Sequence, residues 1–210
     1  MGGVVTLDLK RQLGTYQAPR GRFETVRMPA VQYLMVDGRG DPNTAPAYAD
    51  ALATIFPVAY ALKFLSRAEL VRDYTVMPLE GLWWADDMDA FTVARDKSRW
   101  SWTLLNLVPD WITPELVTRA CETVRLRGRG PLLDDLRLET LHEGLCVQTM
   151  HLGSYDEEGP LLASMHDQFI PGKGFRLAGR HHEIYLSDAR RVAPEKLRTI
   201  LRQPVRPVGD

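Results

Sequence analysis

Apolar positions along the chain fall into two periods. VQYLMV at 31–36 is β-branched and apolar, and DGRGDPN at 37–43 is turn chemistry, which together predict a strand and a loop. From Ala47 to Leu65 apolar residues recur at helical spacing, with Asn43 or Thr44 available as cap, Pro46 near the first turn and Pro57 placed to bend or interrupt the helix. Tyr74–Trp84 and Arg99–Leu107 are aromatic-rich strand candidates, and a hairpin through the polar link at 85–98 is the economical connection. Thr113-Pro114-Glu115 supplies a cap, a first-turn proline and a first-turn acid for a helix to about Leu126. Strands are predicted at Leu136–His142 and Leu145–Leu152, joined near Glu143-Gly144, then a turn at Gly153–Asp156 and a helix from about Glu158 to Phe169. The loop Pro171–Arg180 leads to a strand at 181–186, and a final helix is expected over Pro194–Leu201. Residues 1–30, broken by glycines and Pro19, predict a weakly ordered entry that can still pair as a sheet edge.

The order strand, glycine turn, helix, carboxylate-bearing strand occurs twice. VQYLMVDGRG, AYADALATIF and VMPLEGLWW in the first half answer to VQTMHLGSY, PLLASMHDQF and HHEIYLSD in the second. The pattern predicts an α+β fold of duplicated modules, near residues 1–110 and 111–210 of one domain, with Glu80 and Glu183 close to a pseudo-two-fold axis. At 210 residues and 45% hydrophobic the chain can bury a sizeable core. Twenty-six basic against 27 acidic residues create no field that would draw it to nucleic acid or an anionic membrane. The short Arg125–Arg129 and Arg190-Arg191 stretches read as solvated surface rather than phosphate sites. MGGVVTLDLKR is unlike an export signal, and a cytoplasmic location is the expectation. Cys121 and Cys146 stand apart from any CxxC or Cys/His cluster and read as small buried hydrophobes.

In HHEIYLSD, period-two alternation sets His181, Glu183 and Tyr185 on one face and His182, Ile184 and Leu186 on the other. The apolar face suits a core, so the base, acid and phenol look into either solvent or a cavity. The adjacent histidines point opposite ways, which argues against a metal site. In PLEGLWW, Glu80, Leu82 and Trp84 share one face, and Gly81 permits a close approach by another body. Trp100 and Trp102, two apart, form a candidate aromatic wall, and four tryptophans between 83 and 102 beside Glu80 point to a ligand pocket. Such a pocket can hold an organic cation against ring faces and a carboxylate, or let a desolvated carboxylate act as general base. His151, beside Gly153, Ser154 and Tyr155, falls at the rim of the cleft. Gly38-Arg39-Gly40 is a turn rather than a phosphate loop, and neither Ser154 nor Ser164 sits in a GxSxG elbow.

GDPN at 40–43, AYALK at 59–63, YTVMPLEGLWW at 74–84, KSRWSWTLLNLVPDWIT at 97–113, EGLCVQTMHLGSYDEEGP at 143–160 and HHEIYLSDARR at 181–191 together resemble the GyrI-like small-molecule-binding family, in its stand-alone branch without a DNA-binding domain. The resemblance implies paired βαββ-like modules of SHS2 type, an antiparallel sheet and a central ligand cleft. In this family the domain serves multidrug-sensing activators, where a buried glutamate meets cationic aromatic drugs, and stand-alone relatives include a gyrase inhibitor. Members of the branch this chain looks like hydrolyse the cyclopropane of DNA-alkylating antibiotics of the yatakemycin and duocarmycin type, a detoxification role. Glu183 matches the central family glutamate, with Tyr185 or His181 expected to hydrogen-bond the reacting carbonyl. Glu80, Trp84, Trp100, Trp102, Tyr155 and His151 are the expected ligand contacts. Neither metal nor cofactor is implied. The expected partner is a flat hydrophobic or aromatic small molecule, with no direct nucleic-acid binding and no membrane. Non-catalytic binding or sensing of cationic aromatic drugs is the alternative. A gyrase inhibitor is a third reading, and it would need an exposed acidic or apolar patch that the sequence does not point out.

Overall fold

A computed structural model describes residues 5–86 and 96–209; most of the connection read at 85–98 lies outside the described residues. In chain order the elements begin β1 (Thr6–Leu7), α1 (Leu9–Gln12), β2 (Glu24–Met28), β3 (Val31–Arg39), α2 (Pro46–Glu69), β4 (Asp73–Tyr74) and β5 (Glu80–Ala85). They continue with β6 (Trp100–Leu107), α3 (Pro114–Arg125), β7 (Arg137–Leu141) and β8 (Gly144–Leu152). A helix, α4, opens at Gly159–Ala163 and runs on through a π-helical stretch Ser164–Phe169 into a last turn, Ile170–Gly172. β9 (Phe175–Leu177), β10 (His181–Tyr185) and β11 (Arg198–Pro207) complete the chain.

The main sheet runs β2-β8-β11-β10-β5-β6-β3-β7 with every neighbour antiparallel, and β9 adds to β11. The order βαββ occurs twice, as β3-α2-β5-β6 and β8-α4-β10-β11, and the two sets meet where β5 pairs with β10. The strands that lead into the two sets change places: β2 pairs with β8 and β7 with β3. This is the expected α+β antiparallel architecture, and the entry segment does pair as an edge.

Side chains directly opposite across an antiparallel ladder share a face. The registers His181↔Trp83 and Glu183↔Gly81 therefore place His181, Glu183, Tyr185 and Trp83 on one face, together with Leu201 opposite Glu183 on β11. Both long helices cover this face. Through Ala51, Ile55, Val58, Ala59 and Leu62, α2 packs into a core with Leu34, Val36, Trp83, Trp102 and Leu104, while Met165 and Ile170 of α4 pack with Val147 and Leu201. The other face carries Tyr33, Met35, Leu82, Leu105, Ile184 and Ile200, over which Tyr16 and Leu13 of the entry segment fold.

Several local expectations change. The helix expected over Pro194–Leu201 is a single 3-10 turn, Pro194–Lys196, followed by β11. Leu197, Ile200 and Leu201 have helical spacing, but the segment is claimed on both sides by the ladders of β8 and β10, so its buried residues run continuously from Thr199 to Val205. Pro78, which has no N–H to give a ladder, lies in the non-strand link 75–79, so the strand expected over Tyr74–Trp84 is confined to Asp73–Tyr74 and Glu80–Ala85. Neither Asn43 nor Thr44 caps α2, whose N-cap is Ala45 with no side-chain bond, and the helix passes through Pro57 unbroken. Thr113 caps α3 as expected, accepting from the Leu116 amide at 3.4 Å. By length and composition α2 could cross a membrane. Its apolar residues occupy two faces because one lies in the core and a second, Tyr48, Leu52, Phe56 and Tyr60, lines a cleft.

Candidate functional site

The cleft, about 1630 Å³, opens over the β5–β10 junction, with α2 along one side and α4 along the other. Its size exceeds the roughly 300–1,000 Å³ usual for small-molecule sites, so a flat multi-ring molecule fits with room for water. Glu183 and Tyr185 of β10 form its floor beside Trp83 of β5. Trp83 Nε1 donates to Tyr185 Oη at 3.0 Å, and Tyr185 Oη donates to Glu183 Oε2 at 2.7 Å. On the other carboxylate oxygen, His181 Nε2 stands 3.5 Å from Glu183 Oε1. A single hydrogen-bonded line thus fixes the orientation of an acid that is only 8% exposed.

A missing side chain makes this line possible. Opposite Glu183 stands Gly81, and a Cβ there would come within 2.7 Å of Trp83 Nε1. The indole leans into that gap and reaches the phenol on the next strand. A second glycine does the same one strand pair away: Trp102 lies over Gly38, its directly paired neighbour, and donates to Gly40 O at 3.2 Å. Trp102 is fully buried and supports Tyr48 edge-on at a 5.2 Å centroid distance, so it stands behind the cleft wall.

The wall itself is aromatic. Tyr48 stacks near Trp83 at 6.2 Å, Trp100 meets Trp83 edge-on at 5.8 Å, and Tyr155 meets Tyr185 edge-on at 5.5 Å. Burial and then the Glu183 charge push the Tyr48 and Tyr185 phenols up. Burial, Glu158 and Glu183 take Tyr155 up to about 12. All three stay protonated at neutral pH, and Tyr185 donates to the Glu183 carboxylate.

Among the residues singled out from sequence, Glu183, Tyr185, Trp100 and Tyr155 line the cleft. His181 sits behind Glu183, buried at the floor. His151 holds the rim from below, its Nε2 3.0 Å from Ser154 O, next to Tyr155. Glu80 and Trp84 are on the opposite face of the sheet, because register pairs Glu80 with Ile184. There the Arg180 guanidinium stacks on Trp84 at 3.5 Å. Glu80, with no exposed surface, accepts from Tyr16 Oη and Tyr33 Oη and lies 2.9 Å from His182 Nε2. His182 Nδ1 in turn is 2.9 Å from Glu143 Oε1, and Arg202 Nη1 is 3.6 Å from Glu143 Oε2. Burial works against protonation of His182, but Glu143 and Glu80 outweigh it and raise the imidazole to about 9. The two adjacent histidines of β10 therefore serve different faces.

Cleft residues that sequence reasoning passed over are Tyr48, Phe56, Glu158 and His166, while Trp83, counted in the tryptophan cluster, is not singled out as a contact. The signal for the helical ones was the second apolar stripe of α2 and the 158-162-166 spacing on α4. At the mouth, Lys97 pairs with Asp156 at 2.7 Å, and Arg190 and Arg191 pair with Asp188 at 2.9 and 3.6 Å. Arg125 likewise pairs with Asp134. Among the described residues no set of three or more His, Cys, Asp or Glu side chains gathers as a metal-binding group.

The GyrI-like small molecule binding domain matches residues 22–206 of the chain. An uncharacterized conserved protein from Listeria innocua superposes with a TM-score of 0.87 at 36% identity, covering 96% of this chain and 100% of its own. A hydrolase from the same organism superposes at 0.84 with 36% identity and the same coverage. The C-terminal domain of EcmrR, at 11% identity and a TM-score of 0.58 over 89% of this chain and 98% of its own, shares the fold. No functionally curated protein matches the chain. The chain belongs to the GyrI-like family of small-molecule-binding domains.

Proposed function

We propose that the cleft binds a flat, hydrophobic, electrophilic aromatic molecule and hydrolyses it, with Glu183 as general base. The observation that carries this reading is the line Trp83–Tyr185–Glu183 on the floor of an aromatic-walled cleft. A carboxylate kept out of bulk water, with one oxygen oriented by a phenol, is suited to take a proton from a water molecule in the cleft. Relatives about 36% identical that carry the description hydrolase support chemistry over simple binding.

The substrate class proposed is the cyclopropanoid DNA-alkylating antibiotics of the yatakemycin and duocarmycin type, which gives the protein a detoxifying role. Glu183 takes a proton from water, and the hydroxyl adds to the methylene carbon of the three-membered ring. The ring C–C bond breaks, and its electron pair passes into the conjugated dienone, which becomes an aromatic phenolate. The carbonyl oxygen ends as phenol by taking up a proton, so the product is substrate plus one water. Tyr185, whose hydroxyl proton already points to Glu183, orients the base. Indole and phenol rings of Trp83, Trp100 and Tyr48 hold the flat substrate by stacking.

Incubation with a cyclopropanoid antibiotic followed by mass analysis tests the proposal. A product heavier by one water, formed in proportion to enzyme, is expected. Recovery of unaltered compound after saturable quenching of tryptophan fluorescence would instead favour sequestration or sensing.

A further inference from the structure

The opposite wall of the cleft, on α4, carries polar groups that the chemistry above leaves unused. Glu158 at the N-cap of α4, and Leu162 and His166 within it, lie four residues apart, and all three line the cleft. His166 falls in the π-helical stretch Ser164–Phe169, a local widening that occurs often at functional sites. Its ring sits edge-on to His181 at a 6.0 Å centroid distance, and His181 in turn contacts Glu183. His166 therefore packs on the histidine that contacts the proposed base.

The imidazole is poorly provided for by the protein. Its Nε2 is closed to solvent and has no hydrogen-bond partner. A buried polar atom left in this state is costly, and such an exception calls for a reason. Burial first, and the neighbouring His181 second, hold the imidazole down to about 4. At neutral pH the ring is uncharged, with one N–H to donate. Because the imidazole turns about its Cβ–Cγ bond with a broad torsional preference, either nitrogen can be brought to the cleft. A neutral imidazole that donates to a carbonyl is an established device for stabilising charge that develops on oxygen.

We infer that His166 is the hydrogen-bond partner of a carbonyl oxygen on the bound ligand, so that the cleft selects flat aromatic ketones over the corresponding carbonyl-free ring systems. This deepens the hydrolytic reading by assigning the group that meets the oxygen receiving charge when the ring opens. The electron pair moves to that oxygen while Glu183, on the cleft floor, holds the proton taken from water.

Calorimetric titration with two three-ring probes, acridone and its carbonyl-free counterpart carbazole, tests the inference without turnover. The wild type is expected to bind acridone about tenfold more tightly, the size of one hydrogen bond made to an otherwise unsatisfied atom. His166→Phe should remove the preference by weakening acridone alone, and His166→Gln, which keeps an N–H donor, should restore part of it. Equal affinities in the wild type, no binding of acridone, or a preference that survives His166→Phe would each overturn it. A carbonyl preference dependent on His166 in a protein that adds no water to a cyclopropanoid would uphold this assignment and refute the hydrolytic one.

Discussion

Raising the pH from neutrality should weaken the fold through His182. The side chain is fully buried between Glu80 and Glu143, which raise it from an ordinary value near 6.5 to about 9. The folded state keeps a proton that the unfolded chain releases near 6.5. Between these two values the unfolded state binds fewer protons, so stability falls with rising pH at up to about 1.4 kcal/mol per unit. The contribution is fully present below about 6.5, shrinks across 6.5–9 and is gone above, a total on the order of 3 kcal/mol. Glu143, whose carboxyl is lowered against its own burial penalty by the same histidine, expresses the same attraction and adds nothing further in this window. His166, held down to about 4, acts only on the acid side, where its contribution is lost as pH falls below 6.5. Burial raises the Cys121 and Cys146 thiols, so they weaken the fold only above their ordinary value near 9. Urea unfolding followed at intervals from pH 6 to 9 measures the slope. A free energy that is flat or rises across that interval would refute the charged-histidine brace.

Two glycine substitutions separate the cleft floor from the core behind it. Gly81→Ala places a methyl 2.7 Å from Trp83 Nε1 and forces the indole off Tyr185, so ligand binding or turnover should fall about tenfold for one lost hydrogen bond, and the fold should lose stability as well because Trp83 is itself a buried core residue. Unaltered binding and turnover in that variant would show that the Trp83–Tyr185 bond does not organise the floor. Gly38→Ala brings a Cβ within 2.0 Å of the Trp102 ring, which is buried and cannot retreat. Overpacking of this kind costs about 1–3 kcal/mol, and for a chain of this length each kcal/mol lowers Tm by roughly 2–4 °C. A thermal scan of Gly38→Ala with no drop would contradict the described seat of Trp102.

Much of this arrangement is legible in the chain, and the remainder depends on register. Alternation in HHEIYL separates Glu183 from Ile184 correctly because one face is apolar and the other polar. The same logic divides EGLWW into faces without saying which of them joins Glu183. Only the pairing of Glu183 with Gly81 shows that Trp83 belongs to the cleft and that Glu80 and Trp84 belong to the far side. Trp100 and Trp102 share a face as expected, but depth separates them, since Tyr48 of α2 covers the second. Glu143 reads as a turn residue beside Gly144, and its burial against His182 and Arg202 joins segments that are far apart in sequence. The start of β11 reads as a helix because leucine and isoleucine at helical spacing look the same whether a helix buries one stripe or a central strand buries both faces.

The proposed chemistry rests on the Glu183 carboxylate acting on water inside the cleft. Glu183→Gln keeps the side chain's shape and removes its basicity, so a paired measurement of cyclopropanoid hydrolysis and of ligand-induced tryptophan quenching is the most direct test. Water addition is expected to fall by a factor on the order of 10²–10⁴, the usual worth of a general base, with quenching within a few-fold of wild type. Hydrolysis at the wild-type rate in that variant would contradict that chemistry.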